Sequence, residues 1–397
     1  MGPRVVLFLT VFIHLVGFGL LLPLLPYYAE TYGATGLAVG LLNTSFSFMQ
    51  FLSAPFWGRL SDRIGRRPVI LISLIATAAS YTVFALATSL PVLFASRIFA
   101  GIAGGVIPTA QAYIADTTTP ANRTKGMGLI GAAFGLGFIF GPALGGVLSR
   151  YGYSIPAFAS AGLALAAAIC AAFLLPESLP RAAREAVARR SLIPTLPIAM
   201  LRRPMVRPVL LLFFLGTLCF SALEGTFALF GERWYAIGPS HVGYVFALVG
   251  SLSAAMQLGL VGRLARRFGE RAMVVAGFLS IASGMIAAGT GPPFPFMLAA
   301  MGVIAIGNGL TAPSLAGLVS IATSREDQGE TLGAYQAMGS LGRSAGPFLG
   351  GLAFDYLGVG SPLWLGGIVT AVSCLLAVQL PRRRTAPQPE PAAGPSL

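Results

Sequence analysis

The chain has 397 residues, of which 55% are hydrophobic and only 10% charged. A soluble domain carries roughly 25% charged residues, so this chain lacks the polar side chains to cover a water-facing surface, and a soluble enzyme or binding domain is excluded. The formal net charge of +13 sits in short clusters between long uncharged stretches, without the continuous basic face or stacking platform of a nucleic-acid binder.

A helix that crosses a bilayer needs about 20 apolar residues. The first run, Val5–Ala29, is long enough and lacks the short small-residue cleavage pattern of a signal peptide. Runs over 31–58 and 68–87 follow, and Ser89-Leu-Pro91 introduces a fourth that carries Arg97 and ends near 115. The fifth and sixth cover 126–149 and 151–176. After a polar segment at 177–206 come 208–231, which contains Glu224, and 234–262. Gly291-Pro-Pro-Phe-Pro295 breaks the run 272–324 into a ninth and a tenth helix. An eleventh over 329–354 contains Arg343, and a twelfth covers 356–381. These lengths, without period-two alternation, predict an all-α membrane protein of twelve spans. The expected domains are a six-helix bundle at 1–176, a cytoplasmic linker at 177–206, a second bundle at 207–381 and a disordered cytoplasmic tail at 382–397.

Placing the N-terminus in the cytoplasm puts 22 of the 26 basic residues on that side. By the positive-inside rule both termini are then cytoplasmic, and a bacterial-type inner membrane is the expected location. Cys170, Cys219 and Cys374 lie inside apolar runs without metal-ligand spacing and read as small core residues. No metal cluster, nucleophile–base pair or nucleotide loop is legible, so no cofactor and no enzymatic activity are expected. Gly135-x-Gly137-x-x-x-Gly141 has the wrong spacing for a nucleotide fingerprint, and no strand precedes it.

The two halves repeat each other. Gly128, Gly137, Gly141, Pro142, Gly145 and Gly146 recur in the eleventh span as Gly333, Gly342, Gly346, Pro347, Gly350 and Gly351, and Gly58-Arg-Leu60 recurs as Gly262-Arg-Leu264. Parallel six-helix repeats are the architecture of a large class of alternating-access carriers. The glycines permit close helix approach, the prolines permit bending, and the pattern is assigned to the moving interface between halves.

With these motifs the chain resembles the major facilitator superfamily, up to about residue 381. Gly58-Arg-Leu-Ser-Asp-Arg-Ile-Gly-Arg-Arg67 looks like that family's loop motif between the second and third helices, and Leu93-Phe-Ala-Ser-Arg97 through Gly101 and Gly105 looks like its fourth-helix motif. The Gly128–Gly146 pattern looks like its fifth-helix antiporter motif. Gly17-x-Gly19 with Pro23 and Pro26, Tyr113-Ile-Ala-Asp116 and Leu175-Pro-Glu-Ser178 look most like the drug:proton antiporter branch that includes bacterial tetracycline efflux proteins.

The resemblance implies a latch in which Asp62, among Arg63, Gly65, Arg66 and Arg67, binds the N-terminus of the eleventh helix in the outward-open state. A helix N-terminus favours an anion, and Asp116 can tie the loop arginines to the fourth helix. Arg266 and Glu270 stand where Asp62 and Arg66 do in the first half, so this latch is one-sided. The plain alternative is that these charges only obey topology and meet lipid headgroups.

Ionisable groups within a bilayer are costly and mark transport pathways. His14, Arg97, Glu224 and Arg343 are the candidates, and Glu224 is the carboxylate placed for proton coupling, unless it is a structural partner of Arg97 or Arg343. In the branch this chain resembles, position 14 commonly holds Asp, and histidine removes that fixed charge. Gln50, Gln111, Gln257, Asn308 and Gln336 offer neutral hydrogen bonding. Tyr113, Phe227, Tyr244, Met256 and Tyr335 are apolar or aromatic cavity candidates. Such a cavity suits amphiphilic molecules better than sugars. The expected activity is proton-coupled efflux of a lipophilic or amphiphilic small molecule by a monomer in contact with lipid and without nucleic-acid partners. A uniporter or symporter of a polar metabolite is the alternative.

Overall fold

The computed structural model describes residues 2–118, 123–179, 204, 206–321 and 328–380; most of the expected linker and all of the expected tail lie outside them. Among the described residues all regular structure is helical. The first half comprises α1 (Pro3–Leu21), α2 (Leu25–Glu30), α3 (Gly36–Ile64), α4 (Arg66–Ala85), α5 (Leu90–Ile102), α6 (Val106–Thr117), α7 (Arg123–Leu148) and α8 (Ser154–Leu174). The second comprises α9 (Arg207–Tyr235), α10 (Pro239–Ala255), a π-helical turn (Met256–Leu260), α11 (Val261–Phe268), α12 (Glu270–Gly289), α13 (Phe294–Ile321), α14 (Gln328–Leu357) and α15 (Ser361–Val378).

Ten stretches among the described residues are long and apolar enough to cross a bilayer, with α5 and α6 together forming one of them. The predicted eighth span falls short in length and the eleventh in composition. α10 is only 17 residues long before the π turn, and α14 is diluted by Gly, Ser and Gln.

Two predicted spans are broken, each for a local reason. The first divides at Leu22–Leu24, where Pro23 has no N–H to continue the ladder. The fourth divides at Ala103-Gly104-Gly105. Side chains of α3 bond the carbonyls at the break: Trp57 Nε1 donates to Ile102 O at 2.6 Å, and Ser53 Oγ donates to Gly101 O at 3.0 Å. A side chain at Gly105 would come within 2.7 Å of the Trp57 ring, so the glycine is what lets the break sit against that indole.

Each half has its own core at the end that carries the Gly58–Arg67 loop, hereafter the basic end. One is built around Leu7, Val11, Ile70, Leu74 and Ile114. The other is built around Leu210, Leu212, Val274, Phe278 and Leu315. At the opposite end a single core joins both halves, with Tyr28, Leu42, Tyr81 and Phe84 against Phe227, Phe230, Met285 and Phe354.

Backbone closeness seals the seam at this shared end. A Cβ on Gly40 of α3 would lie 2.2 Å from Pro347 O of α14, and one on Gly243 of α10 would lie 2.3 Å from Pro142 O of α7. The sequence repeat thus reappears as a pseudo-twofold seam. Tyr27 Oη donates to Ile237 O at 2.6 Å, Thr44 Oγ1 to Ser344 O at 2.7 Å, and Ser240 Oγ to Gly146 O at 2.5 Å. Asp355, at the end of α14, accepts from Gly36 N at 3.0 Å and Leu37 N at 2.8 Å, which caps the N-terminus of α3 from the other half.

This geometry corrects the assignment of the whole glycine pattern to the interface between halves. Gly137, Gly141 and Gly145 face α1, and Gly342, Gly346 and Gly350 face α9, each within its own half. Pro142, Gly146, Pro347 and Gly351 reach the other half. Positions four apart share one helix face, and the next residue along starts the neighbouring face. The packing of Gly128 and Gly333 lies outside what is described.

Candidate functional site

At the basic end, Arg66 organises a cluster within the first half. Its Nη1 donates to Asp62 Oδ1 at 2.5 Å and to Ser61 Oγ at 2.6 Å, and its Nε donates to Asp116 Oδ2 at 2.9 Å. The expected tie between the loop and the fourth span is therefore present, and Ser178 Oγ adds a bond to Asp116 Oδ2 at 3.0 Å. Arg63 ends α3, and Arg67 donates to Ala172 O. Asp62 faces Arg66 in its own half; the packing of the first turn of α14 near Gly329, which the expected latch would engage, lies outside what is described.

Sequence reasoning quoted Glu177 but gave it no role. Its carboxylate accepts from Arg66 N at 2.9 Å and from Arg67 N at 3.2 Å, satisfying donors that the first turn of α4 leaves open. Gly65 makes this possible. Its φ is +107°, and a Cβ there would lie 2.3 Å from Glu177 Oε2.

Between the halves lies a cavity of about 470 Å³. All four charged or titratable candidates line it: His14 from α1, Arg97 from α5, Glu224 from α9 and Arg343 from α14. Gln50, Gln111, Asn308 and Gln336 line it too. Glu224 is the sole carboxylate on this wall, and Arg343 is the cation that acts on it electrostatically. Arg343 also donates to Ser340 Oγ at 2.9 Å. Arg97 is 3% exposed, with no hydrogen-bond partner for Nε or Nη2. His14 Nδ1 is likewise unpartnered.

Six cavity candidates are misplaced. Tyr113 is buried, and its hydroxyl donates to Pro176 O at 3.0 Å. Phe227 is 0% exposed in the shared core. Tyr244 is 47% exposed and off the cavity. Met256 packs against Val261, Met273 and Leu310. Gln257 sits exposed on the π turn. Tyr335 stacks on Phe213 at 3.7 Å and donates to Ala312 O at 3.2 Å. Each is a residue whose type suits a cavity but whose angular position on its helix points elsewhere.

The aromatic walls are Phe18, Phe46, Phe134, Phe138, Phe213 and Phe220. A signal for some of them was present. Phe213, Thr217, Phe220, Ser221 and Glu224 form one helical stripe, as do Asn43, Phe46, Ser47 and Gln50. Helical spacing outward from the intramembrane charge finds them.

The family model of the Major Facilitator Superfamily matches residues 7–258 and again 235–396. Multidrug resistance protein 2 of Bacillus subtilis (strain 168) is 30% identical over 376 residues, covering 93% of this chain and 92% of that protein. Tetracycline resistance protein, class D, of Salmonella ordonez is 31% identical over 400 residues, covering 97% and 98%. The crystal structure of the human organic anion transporter MFSD10 (TETRAN) superimposes with a TM-score of 0.73 at 27% identity, covering 95% of this chain and all of that one. Integral to the membrane and built to transport rather than to catalyse, the chain belongs to the major facilitator superfamily, on the branch that holds the multidrug and tetracycline resistance proteins.

Proposed function

We propose that the chain is a secondary exporter that moves an amphiphilic small molecule outward by alternating access, with inward proton movement through Glu224 as the driving reaction. The observation that carries this reading is the cavity between halves, whose walls combine phenylalanine rings with one carboxylate. In this reading the basic end faces the cytoplasm, the spans number twelve, and the separate cores at that end let the halves part while the opposite seam stays shut. No nucleotide is needed, because the proton gradient supplies the energy, and one chain forms the whole pathway.

A second reading concerns the charge of the substrate. Arg97 and Arg343 outnumber Glu224 on the cavity wall, and the human structural neighbour is an organic anion transporter by its title. A polar metabolite is the weaker reading: Asn43, Gln50, Gln111, Asn308 and Gln336 offer neutral hydrogen bonds, but six phenylalanine rings share the walls with them.

The test uses purified protein in vesicles and a panel of cationic, neutral and anionic amphiphilic dyes, with and without an imposed pH gradient. Saturable dye movement that the gradient accelerates is the expected result. Conductance without saturation, or movement indifferent to the gradient for every dye, overturns the reading.

A further inference from the structure

Two of the three cavity charges answer each other, since Arg343 acts on Glu224 and Glu224 on Arg343. Arg97 is left over. Its guanidinium lies 4.8 Å from the Phe84 ring centroid, 5.8 Å from that of Phe46 and 5.9 Å from that of Tyr81. Aromatic faces attract a cation, but they do not replace hydrogen-bond acceptors. The two orphaned donors, Nε and Nη2, occupy one edge of the planar group, the edge that matches two oxygens of a carboxylate. The titratable first-helix residue lining the same cavity is His14, which supplies no fixed negative charge.

We infer that Arg97 is the acid-binding subsite of the cavity, and that the transported compound is an aromatic carboxylate, or another amphiphile with a planar anionic group. The inference rests on the second reading of the substrate given above and assigns it to a residue. The acid group takes the Nε/Nη2 edge from the cavity, which Arg97 lines together with Phe46 and Phe18, whose ring centroids are 5.4 Å apart. The aromatic body then lies along those phenylalanines. Arginine keeps its charge under all ordinary conditions, so the subsite holds through the transport cycle. A membrane potential negative inside also pushes an anion outward, and this lowers the demand on any carboxylate at position 14.

Equilibrium dialysis of the purified full chain with 2-naphthoate and with its uncharged amide, 2-naphthamide, tests the subsite. The parent protein is expected to hold the carboxylate tighter by about tenfold or more, as a bidentate charged contact allows. Arg97→Gln should bring the two affinities together, and Arg97→Lys should keep part of the preference. Equal affinities in the parent, or a preference that survives Arg97→Gln, overturn the assignment. If Arg97→Gln does not fold, His14→Asp, which adds a competing carboxylate to the same cavity, should shrink the preference, and an unchanged preference there overturns it. Gradient-driven dye efflux is scored separately. Efflux without a naphthoate preference sinks the subsite alone, whereas a naphthoate preference without efflux sinks the exporter reading alone.

Discussion

At the scale of single residues, function concentrates in side chains that are expensive to place. Glu224 is held inside the bilayer span where Arg343 offsets its charge, and in the proposed exporter it is the group that exchanges the coupling proton. Glu224→Gln should lower gradient-driven transport by at least about tenfold while leaving substrate exchange within about twofold; full gradient-driven uptake in the variant would move the proton route elsewhere. Position 14 is the second such residue. His14→Asp supplies both a titrating site and a standing counter-charge in the cavity that holds Arg97, so the pH optimum of transport should move. His14→Ala should change coupling only modestly. Three superimposable rate–pH profiles would make position 14 a packing site. Outside the spans, Glu30 ends α2 and lies near Glu232 of the other half. Burial first, then the neighbouring Glu232 carboxylate, push the Glu30 carboxyl up to about 7, against the pull of Arg233. Tyr27 and Tyr153 stand near the same two groups. When the seam parts, Glu30 returns to its ordinary range near 4.5, so closure takes up a proton. The gain for the closed form is complete below that range and is lost as pH rises through about 7. Thiol labelling of a Ser344→Cys reporter in the seam should rise between pH about 6 and about 8, and Glu30→Gln should flatten that rise.

At the scale of elements, α3 and α14 form the seam that must open and close. The first-half motif supplies Asp62 at the basic end of α3, and the structure adds Asp355 at the far end of α14, already capping α3. An anion on exposed helix-terminal amides is worth about 1 kcal/mol, or roughly fivefold in a two-state ratio. Asp355→Asn should therefore shift the balance toward the form open at that end by about this factor, read by labelling of the Ser344→Cys reporter in the same background. Gly40→Ala tests the same seam by steric means. The added methyl meets Pro347 O at 2.2 Å, backbone that has little freedom to yield, so labelling should rise further than with Asp355→Asn. Unchanged labelling in both variants would show that the seam does not control access.

At the scale of the whole molecule, what matters is that hydrophobic burial is divided unequally between the two ends. Interiors pack densely and behave as discrete arrangements. The single shared core therefore makes one end a closed unit, and the paired separate cores let each half move as a body at the other. In the proposed reading the arginine-rich end faces the cytoplasm, as the positive-inside rule expects. Phe268→Cys at the basic end and Tyr151→Cys at the far end are 55% and 77% exposed sites. In a background without Cys170, Cys219 and Cys374, an impermeant maleimide should reach the first only from the cytoplasm and the second only from outside. The reverse pattern would invert the direction of the proposed export.

Composition and run length by themselves determined a helical membrane protein, because a bilayer leaves a chain so poor in charge few other structures. The repeat determined two similar halves, and the rarity of buried charge singled out His14, Arg97, Glu224 and Arg343, all four of which line the cavity. Only the tertiary structure decided which way each helix turns. That is why Tyr113, Phe227 and Tyr335 proved to be core while Phe46 and Phe213 became wall. It also decided what each charge stands near: Glu224 within the field of Arg343, Arg97 among aromatic rings, Glu177 on α4 and Asp355 on α3. Partners in such pairs come from helices up to 319 residues apart. Sequence spacing specifies a face of a helix, but the neighbour opposite that face is set by packing.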